Sequence, residues 1–137
     1  MKLVYTAIFD PNDDGSYTVT VPDLPGCITE GSNLAEAIDM AVDAASGWIL
    51  GELEEGNNIP AATPFFDVRI TESNCFKSVI SLDMDAYAEK YSTKTVRKNI
   101  TIPAWLNTYG EKNNINFSRV LQDALLKQAE SQTRAKG

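Results

Sequence analysis

The charge of this chain changes sign near residue 91, and that reversal argues against one uniform domain. Residues 1–90 hold sixteen Asp and Glu against four Lys and Arg, net −12; residues 91–137 hold three against eight, net +5. The polar connector Ser92-Thr93-Lys94-Thr95 sits at the change. Such a split points to two modules with different partners: a basic protein for the acidic part, and nucleic acid for the basic part. A chain of 137 residues has room for one ordinary domain or two small ones. The expected organisation is an acidic domain at 1–91, a linker at 92–95 and a basic domain at 96–137. The last stretch, Glu130 to Gly137, reads as a disordered tail.

Composition removes several kinds of chemistry. The chain has no His, the commonest general base and zinc ligand, so Ser-His-Asp and Cys-His nucleophile systems are excluded. It has no GxGxxG and no Walker motif. Cys27 and Cys75 lack CxxC spacing and read as buried thiols in a reducing compartment. No apolar run approaches the roughly 20 residues of a membrane span. The stretch Met1-Lys2-Leu3-Val4-Tyr5-Thr6 has no signal-peptide core, so a cytoplasmic protein without membrane association is expected. The remaining catalytic option is magnesium held by Asp10 with Asp13, Asp14 or Asp23. Two-metal chemistry needs several carboxylates converging on two nearby sites. Turn composition explains these four acids without a metal, so no enzyme, cofactor or metal is expected.

Residues 2–9 are rich in β-branched and aromatic types and read as a strand. Asp10 to Gly15 is a turn, and Tyr17 to Val21 alternates as the second strand of a hairpin. Pro22-Asp23-Leu24-Pro25-Gly26 is a bend kept out of any ladder by its prolines, before a short strand at Cys27 to Glu30. Asn33 with Glu36 reads as the capping pair of a helix. Its apolar stripe is Leu34, Ile38, Ala41, Val42, Ala45, Trp48 and Ile49. Glu52, Glu54 and Glu55 lie near the helix C-terminus, where the dipole disfavours acids. They form either a solvated face or a docking patch for a basic partner. A loop at 56–64 precedes strands at Phe66 to Thr71 and Phe76 to Leu82. A short helix, capped by Asp83 or Asp85, runs to Tyr91.

In the basic module, Val96, Lys98, Ile100 and Ile102 share one face of a strand, and Arg97, Asn99 and Thr101 the other. Pro103 suits the first turn of a helix through Lys112, and Asn113-Asn114 breaks it. Asn116 is a good N-cap for a second helix with Phe117, Val120, Leu121, Ala124 and Leu125 as its stripe. This strand-helix-helix order, from about Thr95 to Lys127, resembles the ribbon-helix-helix DNA-binding fold. The resemblance implies a homodimer whose paired strands enter the major groove. A lone strand has no ladder partner and 33 residues cannot bury a core, so pairing supplies both. Carried over by position, Arg97, Asn99 and Thr101 face the bases, with Lys98 at the frayed strand end. Asn116, Phe117 and Ser118 open the helix that holds a phosphate. Ile100, Ile102, Trp105, Leu106, Val120, Leu121 and Leu125 become dimer core. A dimerisation module without DNA binding is the plainer alternative.

The acidic module carries Val21-Pro22-Asp23-Leu24-Pro25-Gly26-Cys27, then Thr29-Glu30-Gly31 and Leu34-Ala35-Glu36-Ala37. This string resembles the HicB antitoxins of HicAB toxin–antitoxin systems, and with the C-terminal resemblance it covers almost the whole chain. The resemblance implies an α+β protein. Its first part is a partial RNase H-like β-β-β-α-β domain without nuclease activity, which binds and blocks a basic, mRNA-cleaving HicA toxin. Its second part is a ribbon-helix-helix domain that represses its own operon as a dimer or a pair of dimers. Candidate toxin-facing residues are Asp23, Leu24, Glu30, Glu52, Glu54 and Glu55. The competing reading is a stand-alone repressor whose acidic domain senses a small ligand.

Overall fold

The computed structural model describes residues 1–92 and 94–136, with side chains as far as Ser131. Thr93 of the expected linker and Gly137 of the expected tail lie outside the described residues. Contacts divide the chain into two compact units, one built on Met1–Ser92 and one on Thr93–Ala135.

In the acidic unit, β1 (Lys2–Pro11), β2 (Tyr17–Thr20), β3 (Ile28–Gly31) and β4 (Phe76–Asp83) form an antiparallel sheet in the order β3-β2-β1-β4. Strand β1 continues to Pro11, so Asp10 lies opposite Thr18 in the ladder rather than in the turn. The turn is Asn12 to Ser16, closed by the Asn12 N–H to Ser16 O at 2.8 Å, with Gly15 at φ +88°. Alternation then sets the core. Tyr5, Ala7 and Phe9 are buried on one face, beside Val19, Ile80 and Leu82. The Phe9 and Phe76 rings stack across β1 and β4 at 5.1 Å.

Helix α1 (Leu34–Glu54) packs against β3, β2 and β4. Asn33 caps it as expected, its side chain accepting from the Glu36 N–H at 2.9 Å. Of the expected stripe, Ala41, Ala45 and Ile49 are buried, joined by Ala37 and Ser46, whereas Leu34 and Ile38 are exposed and Val42 and Trp48 half-buried. Closeness to the sheet explains the offset. A Cβ on Gly31 would lie 2.4 Å from the Ala37 backbone nitrogen, so the first turn of α1 lies directly on β3 and brings Ala37 rather than Ile38 to the sheet.

The bend after β2 is folded inward. Leu24 N–H bonds to Val21 O and Cys27 N–H to Leu24 O, both at 3.0 Å, and Val21, Leu24 and Cys27 are buried. Cys27 meets its expectation, whereas Cys75 is half-buried; both thiols are free. The strand expected at Phe66 to Thr71 is instead a 3-10 turn, Phe65–Asp67, followed by irregular chain. Lys77 fixes it: its ammonium donates to Phe65 O at 2.7 Å and Val68 O at 2.9 Å, competing with any ladder there. Helix α2 (Met84–Tyr91) is capped by Asp83, which accepts from Ala86 N–H. Asp85 pairs with the terminal amino group of Met1 at 2.7 Å.

The basic unit contains α3 (Ala104–Lys112) and α4 (Phe117–Lys136). Residues 94–103 form no ladder, because within one chain this segment has no strand to pair with. Helix α4 continues through the stretch expected to be disordered, from Glu130 to Lys136. Its Glu, Gln, Ala, Arg and Lys residues are good helix formers.

Candidate nucleic-acid interface and acidic surface

The helix pair of the basic unit is built by local chemistry. Pro103 stands at the N-cap of α3, and Asn113 ends the helix, its N–H and side-chain amide both donating to Tyr109 O. Asn114 takes a positive φ of 53°, which Asn tolerates, and Ile115 N–H closes onto Gly110 O at 2.9 Å. The Phe117 ring lies on Gly110, where a Cβ would come within 2.3 Å of its Cζ. Asn116 caps α4 by accepting from Arg119 N–H at 3.0 Å.

This geometry refines the DNA-facing assignments. Arg97, Lys98, Asn99 and Thr101 are all exposed. Asn116 uses its side-chain oxygen for the cap, and Phe117 uses its ring to join α3 to α4. An anion at this helix start would therefore meet backbone N–H groups and Ser118 rather than the side chains of Asn116 and Phe117. The apolar set is the more informative. Ile100, Ile102, Trp105, Leu106, Val120 and Leu125 are exposed and Leu121 is half-buried, Trp105 reaching 70%. Gly110 is the only buried residue of this unit among the described side chains.

The acidic candidates sort differently. Leu24 is 1% exposed and cannot face a partner: the bend turns it into the core. Asp23 is half-buried, and its carboxylate accepts from Thr63 N–H at 2.8 Å and Thr63 Oγ at 2.7 Å, tying the bend to the loop after α1. Glu30, Glu54 and Glu55 are exposed and Glu52 half-buried. The acids considered for magnesium do not converge. Asp14 accepts from the hydroxyl and N–H of Ser16, which hold its carboxyl below the ordinary range. Asp23 serves Thr63. Asp10 meets Glu72 and Cys75 instead, their ligand atoms within 4.8 Å of one another. Burial first, and then the two carboxylates, push the Cys75 thiol up. Sequence reasoning missed this group because residues 62 and 65 positions after Asp10 meet it only through tertiary folding. It borders a cavity of about 220 Å³, which Ile8, Thr18, Thr20, Ile70 and Thr71 also line.

Comparison with known proteins adds to this geometry. Residues 5–136 match the model of the HicB-like antitoxins of bacterial toxin–antitoxin systems. A 14.9 kDa protein from the rep–hol intergenic region of Haemophilus phage HP1 is 34% identical over 104 residues, 76% of each chain. Antitoxin HicB 1 of Photorhabdus laumondii is 33% identical over 60 residues, 44% of this chain and 39% of that one. Among solved structures, a toxin–antitoxin complex from Streptococcus pneumoniae superposes with a TM-score of 0.60 at 23% identity. It covers 93% of this chain and 99% of that one. The antitoxin HicB of Burkholderia pseudomallei gives 0.54 at 20% identity, over 94% and 98%. At these identities the structures share the fold, and the family match extends over nearly the whole sequence. The chain belongs to the HicB-like antitoxin family of bacterial toxin–antitoxin systems.

Proposed function

We propose that this chain is the antitoxin of a type II pair. Its acidic unit, a partial RNase H-like domain, binds and blocks a HicA-type mRNA-cleaving toxin. Its basic unit, a ribbon-helix-helix domain, pairs with a second copy and represses the operon by binding operator DNA. The observation that carries this reading is the exposed apolar set of the basic unit. Six large side chains from 100–106 and 120–125 lie open to solvent, as half of a two-chain core would. The pairing partner that residues 96–102 lack within one chain is then the same segment of the second copy. That pairing places Arg97, Asn99 and Thr101 on the outer face of a two-stranded ribbon, where Arg suits guanine and Asn suits adenine. The charge division supports the two roles: −12 for a basic protein and +5 for a polyanion.

The deciding experiment is co-expression with the small reading frame beside the gene. Growth arrest relieved by this chain, with a stable co-purifying complex, is the expected result. Absence of both toxicity and complex refutes the toxin-binding half of the reading.

A further inference from the structure

We infer that the acidic unit docks its basic protein partner on the face of the sheet turned away from α1. The inference rests on the antitoxin reading above and locates the surface it requires.

Register assigns the face. Thr20 lies opposite both Ile8 and Ile28, Thr18 opposite Asp10 and Glu30, and Thr6 opposite Val79. Directly paired residues share a side, and Val4 joins them by alternation. An antiparallel sheet with one solvated face ordinarily carries polar residues there. Here Val4 is 53%, Val79 52% and Ile28 62% exposed. Leu34, Ile38 and Met40 on α1 reach only 37–40%, as side chains at the margin of a packed helix do. At Val4, Val79 and Ile28 the sheet face is thus more open than the apolar margin of α1, while Thr6 on the same face is buried and residues 70–75 border it at the cavity.

Charge selects the occupant. Glu30 is exposed on the edge strand, and Asp10 lies beside Glu72 at the cavity on the same face. Of the strand lysines on the face, Lys77 is tied up and Lys2 sits exposed at the rim. Lys77 donates to two backbone carbonyls, and Lys2 lies 4.0 Å from Asp83 at the far end of β1. A second copy would set the same carboxylates against one another, and a nucleic acid would add phosphates to them. A basic protein surface with aliphatic contacts satisfies both the acids and the valines and isoleucine.

The test uses the full chain and the purified product of the adjacent small reading frame, with binding measured by calorimetry at two salt concentrations. Ile28→Arg and Glu30→Lys should each weaken binding at least about tenfold, with a shallower salt dependence for Glu30→Lys. Ile38→Arg, on the outer side of α1, should stay within about twofold. Circular dichroism and operator binding, both unchanged, show that the variants are folded. If the sheet variants bind like wild type while Ile38→Arg loses affinity, the surface is wrong and the antitoxin reading stands. If wild type neither binds nor neutralises the product, that reading falls and this surface with it. If Glu30→Lys changes the sedimenting mass of the chain alone, a second copy covers this face and the inference is overturned.

Discussion

In the acidic unit Phe9, Val19, Ile49 and Leu82 are sealed from solvent within a single chain; in the basic unit Val96, Trp105, Val120 and Leu125 stay more than half exposed. The difference follows from topology. Four strands and α1 supply two layers that can bury each other's apolar faces. One unpaired segment and two helices supply a single layer, with Phe117 on Gly110 as the close contact between the helices. The acidic unit thus buries a core by itself, and the basic unit leaves its large apolar side chains exposed, as the proposed pairing requires. If the proposed pairing holds, folding of the second depends on concentration as well as sequence.

The largest expected difference between the units is in calorimetry across protein concentration. The basic unit should melt at a temperature that rises with concentration, and the acidic unit at a constant one. Leu106→Ala should cost about 2–5 kcal/mol in the first transition only, and Phe9→Ala about 3–5 kcal/mol in the second only. A basic-unit transition independent of concentration would show that the exposed apolar set has no partner of its own kind.

The next effect concerns DNA. Arg97→Ala and Asn99→Ala should each weaken operator binding by about 1–3 kcal/mol while leaving the dimer intact. Gel-shift titration and sedimentation together check both halves. Wild-type affinity in either variant would place the base-reading register elsewhere on the ribbon.

The two units also differ in how legible they were. The order of β1, β2, β3, α1, β4 and α2 follows from alternation, turn composition and the Asn33–Glu36 cap, all local signals. What local signals could not place was decided by distant contacts. Phe66 to Thr71 alternates like a strand, yet Lys77 takes the carbonyls of Phe65 and Val68 and bends the chain away. Leu34 and Ile38 look like the start of the core stripe, yet the close approach at Gly31 puts Ala37 against the sheet before the stripe rejoins Ala41, Ala45 and Ile49. Leu24, between two prolines, reads as a surface bend but is drawn inward by its own hydrogen-bonded turn. The Asp10–Glu72–Cys75 group has no sequence signature at all. In the basic unit the break at Asn113-Asn114 and the cap at Asn116 were readable because both are local.

A smaller effect separates the units by pH. Burial first, then the Asp23 carboxylate, raises the Tyr5 phenol above its ordinary 10.0, and burial raises the Cys27 thiol above its ordinary 9.0. Both groups are held neutral in the folded state and ionise more readily once unfolded. Their contribution is therefore complete below pH 9 and is lost as pH climbs through the thiol range and then the phenol range. The acidic-unit transition should fall over that window, and Cys27→Ala with Tyr5→Phe should flatten the decline. An unchanged slope in the double variant would assign the alkaline loss to other groups.

The smallest effect tests whether two identical caps do different work. Asn33 and Asn116 each accept from a backbone N–H three residues on, at 2.9 and 3.0 Å. Replacing either by Ala should cost about 1 kcal/mol in its own unit. Aspartate separates them further, because it keeps the cap and adds a charge favoured by the helix N-terminus. At position 33 that substitution should be neutral or stabilising by about 0.3–1 kcal/mol, with no functional consequence. At position 116 the same gain in stability should accompany weaker operator binding, since the new carboxylate competes with a DNA phosphate for the start of α4. Equal operator affinity for wild type and Asn116→Asp would mean that this helix start is a structural cap alone, leaving the ribbon segment to supply the DNA contacts.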